Sequence, residues 1–448
     1  MKYKAITGIF ITFIVLAPLT QAADTTMDVK LPLRASANGR YLVDAGDKPF
    51  FYQADTPWML LFQLSLPEAE AYLADRKAKG FSALQIMMTG FLGMKNRAGQ
   101  LPFGADNDLS KPNEQFFAHA DKVIQKASDL GMLLMIAPMW SGCCGEGWAG
   151  KEKDGRLKPL NVNGPEKAHQ WGHWLGERYR KHENIAWLMG GDHNPGESHE
   201  LIRQIARGIH EGAPRQLMAV HNAPGCASAA YYDDQPWLSL NAAYTYEEVF
   251  KHILGEWQRT KHTRPIFLSE SGYEHESNDK RGGTPFRLRR QAYGAVLSGA
   301  LAGHAYGHRE LWRLSDKWRE SLQDVGSKQM PFVRQLFATR AWWKLEPETD
   351  DELLTQGRGK VGDDDYITAA RASDGTLAIV YIPKSRPITI ALSRLSAPMK
   401  AQWFDPTDGR LKPVQADALP NHGSHKFASP EKNASGDGDW VLLLEAAR

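Results

Sequence analysis

Residues 184–195 read NIAWLMGGDHNP. Ile185 to Met189 form an apolar run of strand length, closed by two glycines and then by Asp192. An unpaired carboxylate at the end of a buried strand is costly, so one placed there is paired or used. The stretch decides the fold because runs of its kind recur on both sides. Upstream lie FFYQAD (50–55), FSALQIMM (81–88) and MLLMIAPMW (132–140). Downstream lie QLMAVH (216–221), WLSLNAAY (237–244), PIFLSES (265–271) and GHAYGH (303–308). Most are separated by stretches with helical spacing. The first, SLPEAEAYLADRKAKG (65–80), has Ser65 as a cap and Pro67 in its first turn. Others are expected at 114–130, 166–182, 198–211, 246–259 and 286–300. Eight strands with helical crossovers over about 300 residues predict a closed (β/α)₈ barrel, with an open doubly wound sheet as the alternative.

Outside this rhythm the chain changes character. Residues 1–22 carry Lys2 and Lys4, an apolar core from Ala5 to Ala17 and small residues near Ala22, the pattern of a secretory signal peptide. GRYLVDAGDKPFFYQADTPW (39–58) reads as a β-hairpin leading into the barrel. From 350 onward, short β-type runs broken by Asp-Gly, Pro and Ser predict an antiparallel β-sandwich. The expected organisation is a signal peptide over 1–22, a catalytic barrel with its hairpin over 23–349, and a sandwich over 350–448.

Removal of Lys2 and Lys4 from the 54 basic residues leaves 52, against 52 acidic. That neutral balance argues against nucleic acid as a partner, and against a membrane once the signal is cleaved. A periplasmic or secreted location follows from the signal. Cys143, Cys144 and Cys226 do not make a disulfide framework or a zinc site. Adjacent Cys143 and Cys144 leave open either a vicinal disulfide or two loop thiols.

A barrel of this kind carries its site at the carboxyl ends of its strands. Those ends supply Asp55 and Trp58, Gln85, Trp140, Asp192 and His193, His221, Asn241, Glu270 with Tyr273 and Glu274, and Tyr306 with His308. Acids, imidazoles, amides and flat rings suit a sugar: polar groups bind hydroxyls and rings stack on C–H faces. Asp192 and Glu270, on the fourth and seventh strands, face each other across a barrel mouth. Glycoside hydrolysis requires such a pair, one acid to protonate the leaving oxygen and one carboxylate to attack or to activate water. No His-Glu-x-x-His or Gly-x-Ser-x-Gly occurs, and the first strand ends in Asp55-Thr56-Pro57 rather than His-x-His. No cofactor or metal is therefore expected. A metal-dependent barrel hydrolase and a non-catalytic carbohydrate-binding protein are the competing classes; the latter would lack one of the two acids.

NGRYLVDAGDKPFFYQADTPW, NIAWLMGGD, LSESGYE, RRQAYGAVLSGALAGHAYGH and the tail WFDPTDGR…GDWVLLLE together resemble glycoside hydrolase family 140, the apiosidase-like proteins. The resemblance runs from about residue 36 to the C-terminus. It implies a (β/α)₈ barrel followed by a β-sandwich sometimes labelled a collagen-binding domain. It also implies hydrolysis of β-apiosyl linkages, as in side chains of the pectin rhamnogalacturonan II, with retention of configuration. It places the acid/base on Asp192 and the nucleophile on Glu270; the remaining strand-end residues named above are expected to bind an oligosaccharide or glycoside. The third-strand loop MWSGCCGEGWAG departs from the family pattern, as does Ala54 before Asp55.

Overall fold

A computed structural model describes residues 29–277 and 282–447. The expected signal peptide lies outside the described residues. Eight of the apolar runs become parallel strands: β1 (Tyr52–Asp55), β2 (Ala83–Met87), β3 (Leu133–Ala137), β4 (Ile185–Gly190), β5 (Leu217–His221), β6 (Asn241–Tyr244), β7 (Ile266–Glu270) and β8 (Gly303–His308). They pair in the order β5-β4-β3-β2-β1-β8-β7-β6. β5 and β6 share no ladder, but the Leu240 N–H donates to the Met218 carbonyl at 3.0 Å and draws the ring together. The parallel β1–β8 pairing and this contact make the sheet a nearly closed barrel rather than an open, doubly wound one.

Side-chain alternation explains why the runs are apolar on both faces. Tyr52, Ala54, Ala83, Met135, Ala186, Leu188, Ala219 and Phe267 fill the barrel. Phe51, Leu84, Ile86, Leu134, Ile136, Trp187, Met218 and Val220 face the surrounding helices. Those helices are α1 (Leu66–Ala78), α2 (Glu114–Asp129), α3 (Pro159–Tyr179), α4 (His199–Gly212), α5 (Val249–Trp257), α6 (Pro285–Leu297) and α7 (Val325–Ala338). α1 starts as its sequence dictates: the Ser65 N–H donates to Glu68 at 2.9 Å in a capping box. α3 is interrupted at Gly164, whose φ of 72° breaks the helix, so its regular part begins near the expected 166. No helix among the described residues is long and apolar enough to cross a membrane.

The hairpin pairs Leu42–Val43 with Pro49–Phe50. The C-terminal part forms two antiparallel sheets. One runs Leu345–Pro347, Thr368–Ala372, Leu377–Ile382, Trp440–Ala446, Met399–Phe404 and Leu411–Pro413; the other pairs Leu354–Gln356, Pro387–Ala391 and Ser424–Ala428. The first sheet thus recruits a strand from before residue 350. Between sandwich and barrel lies a buried ion pair. Arg289 of α6 donates to both carboxylate oxygens of Asp439, at 3.0 and 2.8 Å, with both side chains fully buried. Beside it Tyr293 stacks on Tyr381 with ring centroids 5.0 Å apart.

Candidate active site

The mouth is organised around one histidine. His221 ends β5 on the inward side, in line with Ala219 and Leu217. Its Nε2 lies 2.8 Å from Asp192 and 3.3 Å from Glu270. One atom from each of these three residues lies within 4.8 Å of the others. The opposite ring nitrogen, Nδ1, faces the Ser269 hydroxyl at 3.4 Å, and that hydroxyl donates to the Ala243 carbonyl. Ser269 therefore accepts from Nδ1–H, which leaves Nε2 to the two acids. Tyr244 lies nearly parallel to the imidazole, 4.6 Å between centroids. Trp58 and Trp140 crowd its other sides at 6.1 and 5.7 Å.

Each acid reaches the mouth by a local departure from regular backbone. Gly190 has φ 88° and approaches the His221 carbonyl so closely that a Cβ would sit 2.2 Å from it. Gly191 packs in the same way on Gly142. These two glycines bend the chain so that Asp192 stands free of the strand, its side chain 24% exposed. Glu270 would face the helices if β7 alternated regularly, since Leu268 does. A register shift between Leu268 and Glu270 turns the carboxylate inward. There it is 5% exposed, and Tyr246 donates its hydroxyl to it at 2.8 Å.

The electrostatics follow from this packing. Burial raises the pKa of Glu270, the charge of Asp192 adds to the rise, and the bonds from His221 and Tyr246 oppose it. Burial alone would lower His221, but its bonds to Asp192 and Glu270, and their charges, outweigh that and lift it to about 9. An unfolded histidine titrates near pH 6.5. The folded protein therefore holds this proton more tightly, and the stability so gained is complete below about pH 6.5 and lost as pH rises through about 9. His221→Asn is expected to abolish that alkaline loss. Melting temperatures at pH 6 and pH 9.5 check it: the wild type should drop between the two by more than the variant.

Among the other sequence candidates, Trp58 and Trp140 reach the mouth but are nearly buried; their rings hold His221 rather than offer an open face. Tyr273 accepts from the Trp58 indole at 2.8 Å. Gln85 lies one layer lower inside the barrel and donates to the Ser269 carbonyl at 2.7 Å. His193 is half-buried on the rim, with its Nδ1 lacking a partner among the described residues.

Five candidates lie elsewhere. Asp55 points outward and binds the Tyr72 hydroxyl and Arg76 of α1, fully buried. Asn241 begins β6 rather than ending it, and at the barrel's opposite end it binds the Ala229 N–H and Glu256. Glu274 accepts from the Tyr306 hydroxyl at 2.6 Å and from the Gly326 N–H at the start of α7, so both its oxygens are occupied away from the mouth. Tyr306 is thereby turned outward as well. His308 caps the helix Arg309–Arg313 through the Glu310 N–H and binds Asp324 at 2.8 Å. Tyr244, Tyr246 and Ser269 are site residues the sequence did not single out. The i, i+2 tyrosines at the end of β6 were the available signal for the first two.

Three groups place metal-ligand atoms together among the described residues. In His275, His308 and Asp324, the His308 Nδ1 accepts the Glu310 N–H, so its hydrogen sits on Nε2 and points at Asp324. In Cys143, Cys144 and Glu146 the two sulfurs are bonded to each other. The third group is the Asp192–His221–Glu270 cluster, already joined by hydrogen bonds.

A sequence profile of the apiosidase-like catalytic domain matches residues 36–344. The chain belongs to the apiosidase-like family. It is therefore a glycoside hydrolase, and this cluster is its candidate catalytic pair. A second profile, for the collagen-binding-like domain of a collagenase, matches residues 350–445. No curated protein matches the apiosidase-like chain in sequence. A solved structure described as a glycoside hydrolase shares 23% identity at a TM-score of 0.80, over 94% of this chain and 99% of that one. A glycoside hydrolase family 5 structure from Bacteroides vulgatus shares 22% at a TM-score of 0.80, over 93% and 95%. At such identities these two likenesses speak for the fold.

Proposed function

We propose that this apiosidase-like hydrolase cleaves β-apiosyl or related furanosyl linkages, in side chains of the pectin rhamnogalacturonan II, with retention of configuration. The observation that carries the reading is the pair of carboxylates on facing strands, with oxygens within 4.8 Å around one imidazole. Retaining enzymes hold their carboxyl groups about 5–5.5 Å apart, whereas inverting ones leave roughly 6.5–9.5 Å for a water. Family membership supports the apiosyl glycone. Export by the signal of residues 1–22 brings the enzyme to its polysaccharide, and a disulfide between Cys143 and Cys144 suits an oxidising compartment. The sandwich serves as packing for the barrel.

In this reading Asp192 protonates the glycosidic oxygen while Glu270 attacks the anomeric carbon. The leaving group departs as an alcohol, and the sugar remains as an ester on Glu270. Asp192 then takes a proton from water, whose oxygen displaces Glu270 and releases the sugar. His221, with Nε2 between the two acids, holds both carboxylates in position. Tyr246 steadies the attacking carboxylate.

A sugar-release assay on pectic oligosaccharides and apiosyl phenolics, with and without a chelator, tests the proposal. Apiose release that is unchanged in chelator is expected. Release of a different sugar refutes the glycone. Activity lost in chelator and restored by zinc moves the assignment to a metal-dependent hydrolase, for which the same three side chains are the nearest donor set.

A further inference from the structure

The loop that departs from the family pattern is cross-braced by its own hydrogen bonds. It leaves β3 at Trp140 and returns at Ala149, closed by the Trp148 N–H to the Trp140 carbonyl and the Ala149 N–H to the Ser141 carbonyl. Cys143 and Cys144 are joined in a vicinal disulfide, and both are exposed. Beneath them the Glu146 carboxylate accepts the Cys143 and Cys144 N–H groups at 3.0 and 2.8 Å, and the Trp140 indole at 2.9 Å. Lys158 clamps the far side through the Gly145 and Gly147 carbonyls. The loop also fixes its own position against the acid. Ser141 N–H donates to the Gly190 carbonyl at 2.9 Å, and Gly142 lies on Gly191, next to Asp192.

We propose that the Cys143–Cys144 disulfide is the wall of the leaving-group subsite, and that it recognises a sugar on that side of the scissile bond. The inference rests on the functional reading above and deepens it. Asp192 must meet the glycosidic oxygen, so the group that departs lies against whatever flanks Asp192 on the side away from Glu270. That flank is this loop. Its exposed tip is Cys143, Cys144 and Gly145, whose bonded, polarisable sulfurs suit the C–H face of a sugar ring. Bonding adjacent cysteines freezes a segment that three glycines, Gly142, Gly145 and Gly147, would otherwise leave pliable.

The test uses full-length protein with Glu270→Gln to block turnover. Calorimetry compares two ligands with one glycone, methyl β-apioside and a β-apiosyl disaccharide. Adding Cys143→Ala with Cys144→Ala is expected to weaken the disaccharide about tenfold and the methyl glycoside less than about twofold, the scale of one lost apolar contact. Reduction by dithiothreitol, which closes to its cyclic disulfide as the two cysteine thiols form, should reproduce the shift if the alanine protein folds poorly. Equal weakening of both ligands marks a merely structural loop and overturns the wall; so does unchanged affinity for both. Should Glu270→Gln still hydrolyse the disaccharide, the nucleophile reading fails on its own, and the same ratio is read from KM.

Discussion

Glu270→Ala is expected to lower turnover by about 10⁴-fold or more on every substrate, with no covalent intermediate detectable by mass spectrometry. The expectation rests on exclusivity as well as position. Glu270 is turned to the mouth by the register shift in β7 and steadied by Tyr246 and His221. The neighbouring acid, Glu274, spends both oxygens on Tyr306 and the start of α7. Glu274→Ala should therefore reduce stability while sparing kcat. External azide should slowly rescue Glu270→Ala and release a product of inverted configuration, visible by NMR. A rescue by azide in Glu274→Ala, with near-normal rates in Glu270→Ala, would put the nucleophile four residues later. Inverted product from the wild type would end the retaining mechanism whatever the variants do.

Asp192→Ala should divide substrates by leaving group. A sugar alcohol leaves only when protonated, so its glycosides should lose roughly 10²–10⁴-fold, the usual contribution of a positioned acid. An activated aryl glycoside needs little protonation, so its first step should survive. Its second step lacks the base, so the glycosyl ester on Glu270 should accumulate. Azide, which needs no base, should discharge it with retained configuration. Burst kinetics on the aryl glycoside read both steps. Equal losses on aryl and sugar glycosides would remove Asp192 from the acid role.

The fold was legible because most strands are apolar runs of the right length and most crossovers have helical spacing. The site was legible only as far as strand parity carries. Gln85 and His221 share parity with the barrel-filling Ala83 and Ala219, and both face inward. Asp55 shares parity with Phe51, and Tyr306 with His304 beside Phe51, so they face the helices. That clue was present in the sequence: Tyr72 and Arg76, one turn apart on α1, are the partners of Asp55. Glu270 breaks parity through a bulge, which no spacing rule announces. Asn241 was misplaced because WLSLNAAY reads as one run, whereas only its last four residues form the strand. The disulfide depended on backbone geometry in a glycine-rich loop, which composition leaves open.

The Arg289–Asp439 pair has a bearing on how such a chain is inherited. Arg289 lies on α6, the helix that follows the strand carrying Glu270, and its charge is neutralised by a residue near the other end of the gene. A replacement module that covered Arg289 without an acid at the place of Asp439 would leave an ionised guanidinium buried without this partner, at a cost of several kcal/mol. Recombination that exchanges the C-terminal module for another is thereby selected against unless the newcomer brings an acid to the same spot. The interface charge thus ties the appendage to its own catalytic partner, so that the two are expected to be inherited together.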